Sequence, residues 1–234
     1  MKAICALAGG VLALTCGVWA QGAPTPEFQV PAIREPHHFV KLDNKYARVL
    51  DVTVPPHDST LFHIHENPYF WISIGSARLK GQTLGADDFV DIQTVDGEVR
   101  YSATLTHRVG NVGTTTFRNI TVQIQGRDDV SPPGGFRASP KPAGYQPQPA
   151  FENELVYVER LILEPGQSTG RYTLPRSSLW IAARDGAISV ERPGEAARRL
   201  DVKAGDFEWH TGPATHTITN AGKTRFEAVE AVWK

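Results

Sequence analysis

Cysteine and methionine are nearly absent from this chain. Its 234 residues include two cysteines, Cys5 and Cys16, and a single methionine, Met1. Both cysteines fall in the opening segment, which begins Met1-Lys2 and then runs without charge from Ala3 to Ala20. One lysine followed by about 15 apolar residues has the charged and hydrophobic regions of a secretory signal peptide, and Val18-Trp19-Ala20 ends on a small residue suited to cleavage. A run of this length could also anchor in a bilayer. Its glycines and the Pro-rich stretch Gln21–Pro26 favour cleavage instead. Ala13-Leu14-Thr15, ahead of Cys16, fits a lipidation box poorly. Residues 1–20 are therefore expected to be a signal peptide, and the protein to be exported to the periplasm or beyond the cell. The mature chain would then have no cysteine, which excludes disulfides, thiolate metal sites and cysteine nucleophiles. Its fold must be held by a core, for which roughly 210 residues suffice.

Charge of one sign is also missing. The formal net charge is −1, with 24 basic against 25 acidic residues, and loss of Lys2 makes it −2. No basic run or arginine cluster could gather phosphates, which argues against a nucleic-acid partner. No apolar stretch after residue 20 is long enough to span a membrane. Amphipathic helix is lacking too, since the longest helix-compatible stretch, Gly194–Val202, is short and charged. There is no Gly-x-Ser-x-Gly elbow, phosphate-binding glycine loop or calcium-loop signature.

What the chain does have is strand. Arg48–Val54 alternates branched apolar and polar residues and stops at Pro55-Pro56. Tyr69–Ile74 is aromatic and β-branched and ends at Gly75. Phe117–Ile124 and Leu155–Leu163 alternate in the same way. Short alternating runs between Gly, Pro and Asp turns indicate an all-β sandwich or barrel. Residues 127–150 break the pattern with six prolines around Pro132-Pro133-Gly134-Gly135 and read as an extended linker.

The segments on either side of that linker repeat one another. Val54–Thr60 aligns with Leu163–Thr169, Trp71-Ile72 with Trp180-Ile181, and His107 and Asn111 with His216 and Asn220, all at one offset of 109 residues (71 to 180, 107 to 216). Duplication of a single barrel unit explains one offset holding over separated blocks. The expected organisation is a signal peptide (1–20), an N-terminal arm (21–39), a first barrel (40–126), a linker (127–150) and a second barrel (151–234).

The chemistry gathers in the first unit. His63 and His65 flank Ile64, and residues two apart on a strand face the same side. His107, at the start of another strand-like run, could supply a third nitrogen. Three imidazoles with open positions suit a divalent transition metal (Fe, Zn, Ni, Cu or Mn) that can also take water, oxygen or a chelating substrate. The same histidines could instead be hydrogen-bonded core residues or contacts to an organic ligand.

These motifs resemble the cupin superfamily. Its first motif is Gly-x5-His-x-His-x3,4-Glu-x6-Gly, and here His57 stands at the first glycine, followed by His63-Ile64-His65 and a closing Gly75. Its second ends His-x3-Asn, here His107 to Asn111. Two such units make the chain resemble a bicupin, which implies two tandem jelly-roll β-barrels, packed as a monomeric pseudo-dimer or assembled as a homodimer. The resemblance also implies one metal on His63, His65 and His107, serving a small-molecule ligand or substrate. Three-histidine cupins resemble certain dioxygenases, so a metal-dependent enzyme is one implied function. A non-catalytic binding or accessory protein is the other.

Besides His57 at the first glycine, the sequence departs from the pattern at the glutamate position and in the second unit. Tyr69 and Phe70 occupy the positions expected of the motif glutamate, where either would face the pocket. In the second unit Tyr172 and Leu174 replace the His-x-His pair, so that site is expected to be dead. His57 and Glu66 are further pocket candidates as acid or base. The pair His37-His38, in the arm, is expected at the surface.

Overall fold

The computed structural model describes residues 28–128 and 147–234. The expected signal peptide and the centre of the Pro-rich linker lie outside the described residues. The first unit contains strands β1 (Gln29–Pro31), β2 (His38–Asp43), β3 (Ala47–Val54), β4 (Phe62–His65), β5 (Tyr69–Ile74), β6 (Ala77–Thr83), β7 (Val90–Thr94), β8 (Val99–Ser102), β9 (Leu105–Asn111) and β10 (Phe117–Ile124). The second contains β11 (Gln148–Glu152), β12 (Val156–Leu163), β13 (Tyr172–Leu174), β14 (Ser178–Ala182), β15 (Gly186–Glu191), β16 (Arg198–Val202), β17 (Phe207–His210), β18 (Ala214–Asn220) and β19 (Phe226–Trp233). Helix among the described residues is confined to a 3-10 turn at Ala32–Arg34. None is long and apolar enough to cross a membrane.

Each unit is a pair of facing sheets. In the first, the order β1-β4-β9-β6-β7 faces β2-β3-β10-β5-β8; in the second, β13-β18-β15-β16 faces β11-β12-β19-β14-β17. The 109-residue offset maps β3 onto β12, β9 onto β18 and β10 onto β19 residue for residue. Only β1 has no counterpart among the described residues.

Strand parity decides which buried side chains fill a barrel interior and which fill the layer between the barrels. On β3, Leu50, Val52 and Val54 pack inside the first barrel, while Ala47 and Val49 face the other way. On β10, Ile120, Val122 and Ile124 also face outward. That outward layer meets Val156, Val158, Leu179, Ile181, Val229, Ala231 and Trp233 of the second unit in one apolar cluster. The second barrel has its own interior around Leu161, Leu163, Trp180, Ile188, Ile218 and Phe226. Polar contacts reinforce the junction. Trp233 Nε1 donates to the Tyr46 carbonyl at 3.1 Å, and Arg118, held by Asp51 through two 2.9 Å bonds, donates to the Ala204 carbonyl.

Both ends of the expected linker are drawn into this structure. Gln148–Glu152 forms β11 and pairs with β12. Asp128 is buried and accepts the Ser177 N–H at 2.6 Å. The described part of the expected arm is likewise built into the first barrel. There β1 adds a parallel strand beside β4, with Val30 opposite His63.

Candidate metal centre

The antiparallel pairing of β4 with β9 sets His63 directly opposite His107, and His65 lies on the same face two residues along. The ring centroids are 4.5 Å apart for His63 and His107, 5.0 Å for His63 and His65, and 5.2 Å for His65 and His107. One nitrogen from each lies within 4.8 Å of the others. Small side-chain rotations would bring three such nitrogens to the roughly 2.0–2.1 Å of a metal–imidazole bond.

The ring nitrogens are partly committed already. His63 Nδ1–H donates to the Leu61 carbonyl at 2.9 Å, which leaves the Nε2 lone pair available. His65 Nδ1 is engaged by the Gln123 side-chain amide at 3.2 Å. His107 Nε2 is buried with no hydrogen-bond partner among the described residues. A buried polar atom left unpaired is costly, and an ion shared with His63 and His65 would satisfy it. The donor set therefore fits a divalent transition metal.

Electrostatics point the same way. Burial pushes His65 down to about 2 and His107 to about 3, and neighbouring imidazoles add to both shifts. Burial also lowers His63, although its bond to Leu61 and the charge of Glu35 pull the other way. All three are thus neutral at ordinary pH, the protonation state that binds metal.

These rings open onto a cavity of about 250 Å³. Its wall is mainly apolar, with Val52, Val54, Leu79, Ile92, Val109 and Phe117. Thr60, Ser102, Asn119, Thr121 and Arg100 supply polar groups. Parity again decides the lining. Tyr69 and Trp71 face in, and the Tyr69 ring stacks on His65 at a centroid distance of 3.9 Å. Phe70 faces out into the inter-barrel core, so its expected place in the pocket is corrected. Of the two residues at the glutamate position, only Tyr69 reaches the site. Burial raises the Tyr69 pKa, with a bond to Ser102 partly opposing it, so the phenol keeps its proton.

Two other candidates do not reach the cavity. His57 is exposed in the β3–β4 turn, and Glu66 is exposed just after β4. His57 instead takes a left-handed backbone, φ 65°, and its N–H donates to the Asn111 carbonyl. Asn111, the last residue of His-x3-Asn, is a structural pin. Its side chain donates to the Val54 and Thr115 carbonyls and accepts the Gly113 N–H. Asn220 repeats this with Leu163, Thr224 and Gly222, which explains its presence in a barrel without ligands.

Sequence reasoning missed two further residues. His38, expected at the surface, is buried, lines the cavity and meets His63 edge-on at 4.6 Å. It opens β2 opposite Val52, whose side chain faces the barrel interior, and so turns inward as well. No motif spacing flags it. Gln123 belongs to the inward set Asn119, Thr121 and Gln123, and the alternation of these with Ile120, Val122 and Ile124 is the signal that could have found it.

The second barrel lacks the cluster. Tyr172 stands at the place of His63 and keeps its register, opposite His216. Its hydroxyl donates to Glu230 at 2.6 Å and receives His216 Nε2–H at 2.7 Å. The nitrogen corresponding to that of His107 is thereby satisfied without an ion. Leu174, at the place of His65, is buried.

No protein-family model and no curated protein matches the chain. Solved structures do. A cupin 2 conserved barrel domain protein from Leptotrichia buccalis is 11% identical, with a TM-score of 0.52 over 84% of this chain and 88% of its own. Lactobacillus farciminis oxalate decarboxylase, in a formate complex, is 13% identical, with a TM-score of 0.55 over 83% and 80%. Bacillus subtilis oxalate decarboxylase, which holds Mn(II) centres, is 13% identical, with a TM-score of 0.51 over 81% and 69%. At such identities the likeness establishes the fold. The chain has a bicupin-like fold, two cupin-like barrels in tandem. Within that fold, its first barrel carries a three-histidine cluster and its second does not.

Proposed function

We propose that the first barrel holds one divalent transition metal on His63, His65 and His107, and that the protein is an exported, metal-dependent enzyme for a small organic molecule. The carrying observation is His107, which has a buried Nε2 without a partner among the described residues and clusters with two other neutral imidazoles in the wall of a cavity. The Mn(II) centres of the Bacillus subtilis oxalate decarboxylase lend support from the same fold.

A metal held by three imidazoles supplies Lewis acidity and open positions for oxygen or a chelating substrate, the basis of a dioxygenase-like reading. The chain's own residues contribute the rest. The apolar wall excludes water and selects a compact, largely apolar substrate. Tyr69 O–H can donate to an oxygen held beside His65, while Asn119 and Thr121 orient the substrate from β10. Arg100, near the mouth, is held by Glu98 at 2.7 and 3.0 Å, so it brings shape and hydrogen bonds more than free charge.

A non-catalytic binding role is the second reading. One observation favours it: among the described residues no carboxylate lines the cavity, so its described wall offers no carboxylate general base.

Elemental analysis of purified protein tests the site. The expected result is about one transition-metal ion per wild-type chain and less than about a tenth of that in His65→Ala. No metal in the wild type, or equal metal in both, removes the proposal. Oxygen consumption by the iron-loaded protein over phenols, diketones and thiols then separates the two roles. Substrate-dependent uptake supports the enzyme, and ligand binding without turnover supports the second reading.

A further inference from the structure

We propose that Glu35, on the N-terminal arm, is a positioning residue for the histidine site, fixing the backbone that orients His63 and supplying the buried negative charge that the cavity wall lacks. This rests on the metal reading of the site.

The Glu35 side chain is fully buried just after the 3-10 turn. It accepts the His37 N–H at 2.7 Å, the His37 ring at 3.1 Å and the Leu61 N–H at 3.2 Å. Leu61 is the residue whose carbonyl receives His63 Nδ1–H at 2.9 Å. One residue is therefore held at its N–H by the carboxylate and at its carbonyl by the metal-facing imidazole. His38 fills the space between, its Nε2 3.8 Å from Glu35 and its ring edge-on to His63. Its other nitrogen, Nδ1, is tied to the Ala32 carbonyl at 2.8 Å.

Two arguments give this arrangement a role beyond packing. A buried carboxylate is strongly unfavourable unless its surroundings satisfy it, and an apolar residue would fill the same space without that cost. A dication on three neutral imidazoles, with Tyr69 standing where the motif carboxylate belongs, is stabilised by compensating charge nearby. Outer residues that orient a metal-bound imidazole typically change affinity 10- to 100-fold. The comparison between barrels agrees. The strand that leads into this segment, β1, is the one without a counterpart among the described residues. In sequence the residue 109 positions after Glu35 is Gly144, so the repeat has no carboxylate at that offset.

The test is Co(II) titration of the full chain, read by the visible d–d bands and by competition with a chelator. Wild type is compared with Glu35→Gln, which keeps the shape and removes the charge. The expected result is Co(II) affinity about 10- to 100-fold weaker in Glu35→Gln, with shifted bands and the apoprotein still folded by circular dichroism. A band shift is something a purely structural residue would not produce. Wild-type affinity and bands in Glu35→Gln overturn the role of Glu35 while leaving the metal site standing. No Co(II) binding by wild type removes both. Should Glu35→Gln fail to fold, Glu35→Asp decides: its shorter carboxylate withdraws from Leu61, so weaker binding with shifted bands is expected, and unchanged binding overturns the role.

Discussion

His57 has φ 65°, and it is the one non-glycine residue with a positive φ among those described. Its counterpart in the second barrel, Gly166, has φ 77° and open space around its Cα. The turn demands a left-handed residue in both barrels, and an L side chain there is strained by roughly 1–2 kcal/mol. Glycine's greater freedom in the unfolded chain offsets part of that. His57→Gly should therefore raise unfolding stability by about 0.5–1 kcal/mol, and Gly166→Ala should lower it by about 1 kcal/mol. Urea titrations of both variants check this pair of opposite signs. The imidazoles make a second prediction. His38 and His107 lie at about 3 and His65 at about 2, mainly through burial. In the unfolded chain each titrates near 6.5. Below that pH the unfolded state takes up protons the folded state refuses, so their contribution is complete above about pH 6.5 and falls as the pH drops towards the folded values. The slope approaches about 1.4 kcal/mol per pH unit for each such histidine. His37 acts in the opposite sense, because bonds to Glu35 and Asp58 outweigh its burial and raise its pKa. The metal-free protein should show a clearly lower urea midpoint at pH 5.5 than at pH 7.5, and equal midpoints would count against neutral, buried imidazoles. His63 and His65 were legible as a pair because a period of two on a strand is written in the sequence, and His107 through its His-x3-Asn spacing, repeated at His216 and Asn220. His38 and Glu35 were not, because nothing in residues 28–39 states which strand they lie beside.

Strand β4 and its counterpart β13 show how one element can keep its packing and lose its chemistry. Both pair with the strand that carries the late histidine, and both present two side chains inward. In β4 these are His63 and His65; in β13 they are Tyr172 and Leu174. Tyr172 closes a buried network with His216 and Glu230, and Leu174 packs with Tyr172 and Val232. Leu174→Ala should destabilise the protein by about 2–5 kcal/mol, the usual cost of emptying a buried leucine site. Metal content of the folded fraction should stay at the wild-type level. An unchanged thermal midpoint together with loss of an apolar ligand would make the second barrel a binding site instead. The sequence identified this element as degenerate, since leucine cannot bind a metal. It did not indicate that Glu230 would turn inward to meet Tyr172, because that depends on the register of β19 against β14 and β12.

At the scale of the whole molecule, the two barrels share one apolar layer, so neither outward face is left to water. Trp233 belongs to it, fully buried, edge-on to Trp209 at 4.8 Å and bonded to the Tyr46 carbonyl. Trp233→Ala should cost about 3–5 kcal/mol and lower the midpoints of both barrels together, monitored by site-specific probes in each. Independent melting, with the first barrel unaffected, would mean that the layer does not couple them. The fold class and the tandem repeat were readable because alternation, turn residues and a constant 109-residue offset are local, one-dimensional signals. So were the three histidines and the loss of two of their counterparts. Only the tertiary structure decided that Phe70 faces the partner barrel while Tyr69 stacks on His65, that the turn after β1 brings Glu35 and the start of β2 brings His38 to the site, and that His107 Nε2 ends without a partner. Each of these depends on which strands become neighbours and in what register, and chain closure in three dimensions sets that rather than the spacing of residues along the sequence.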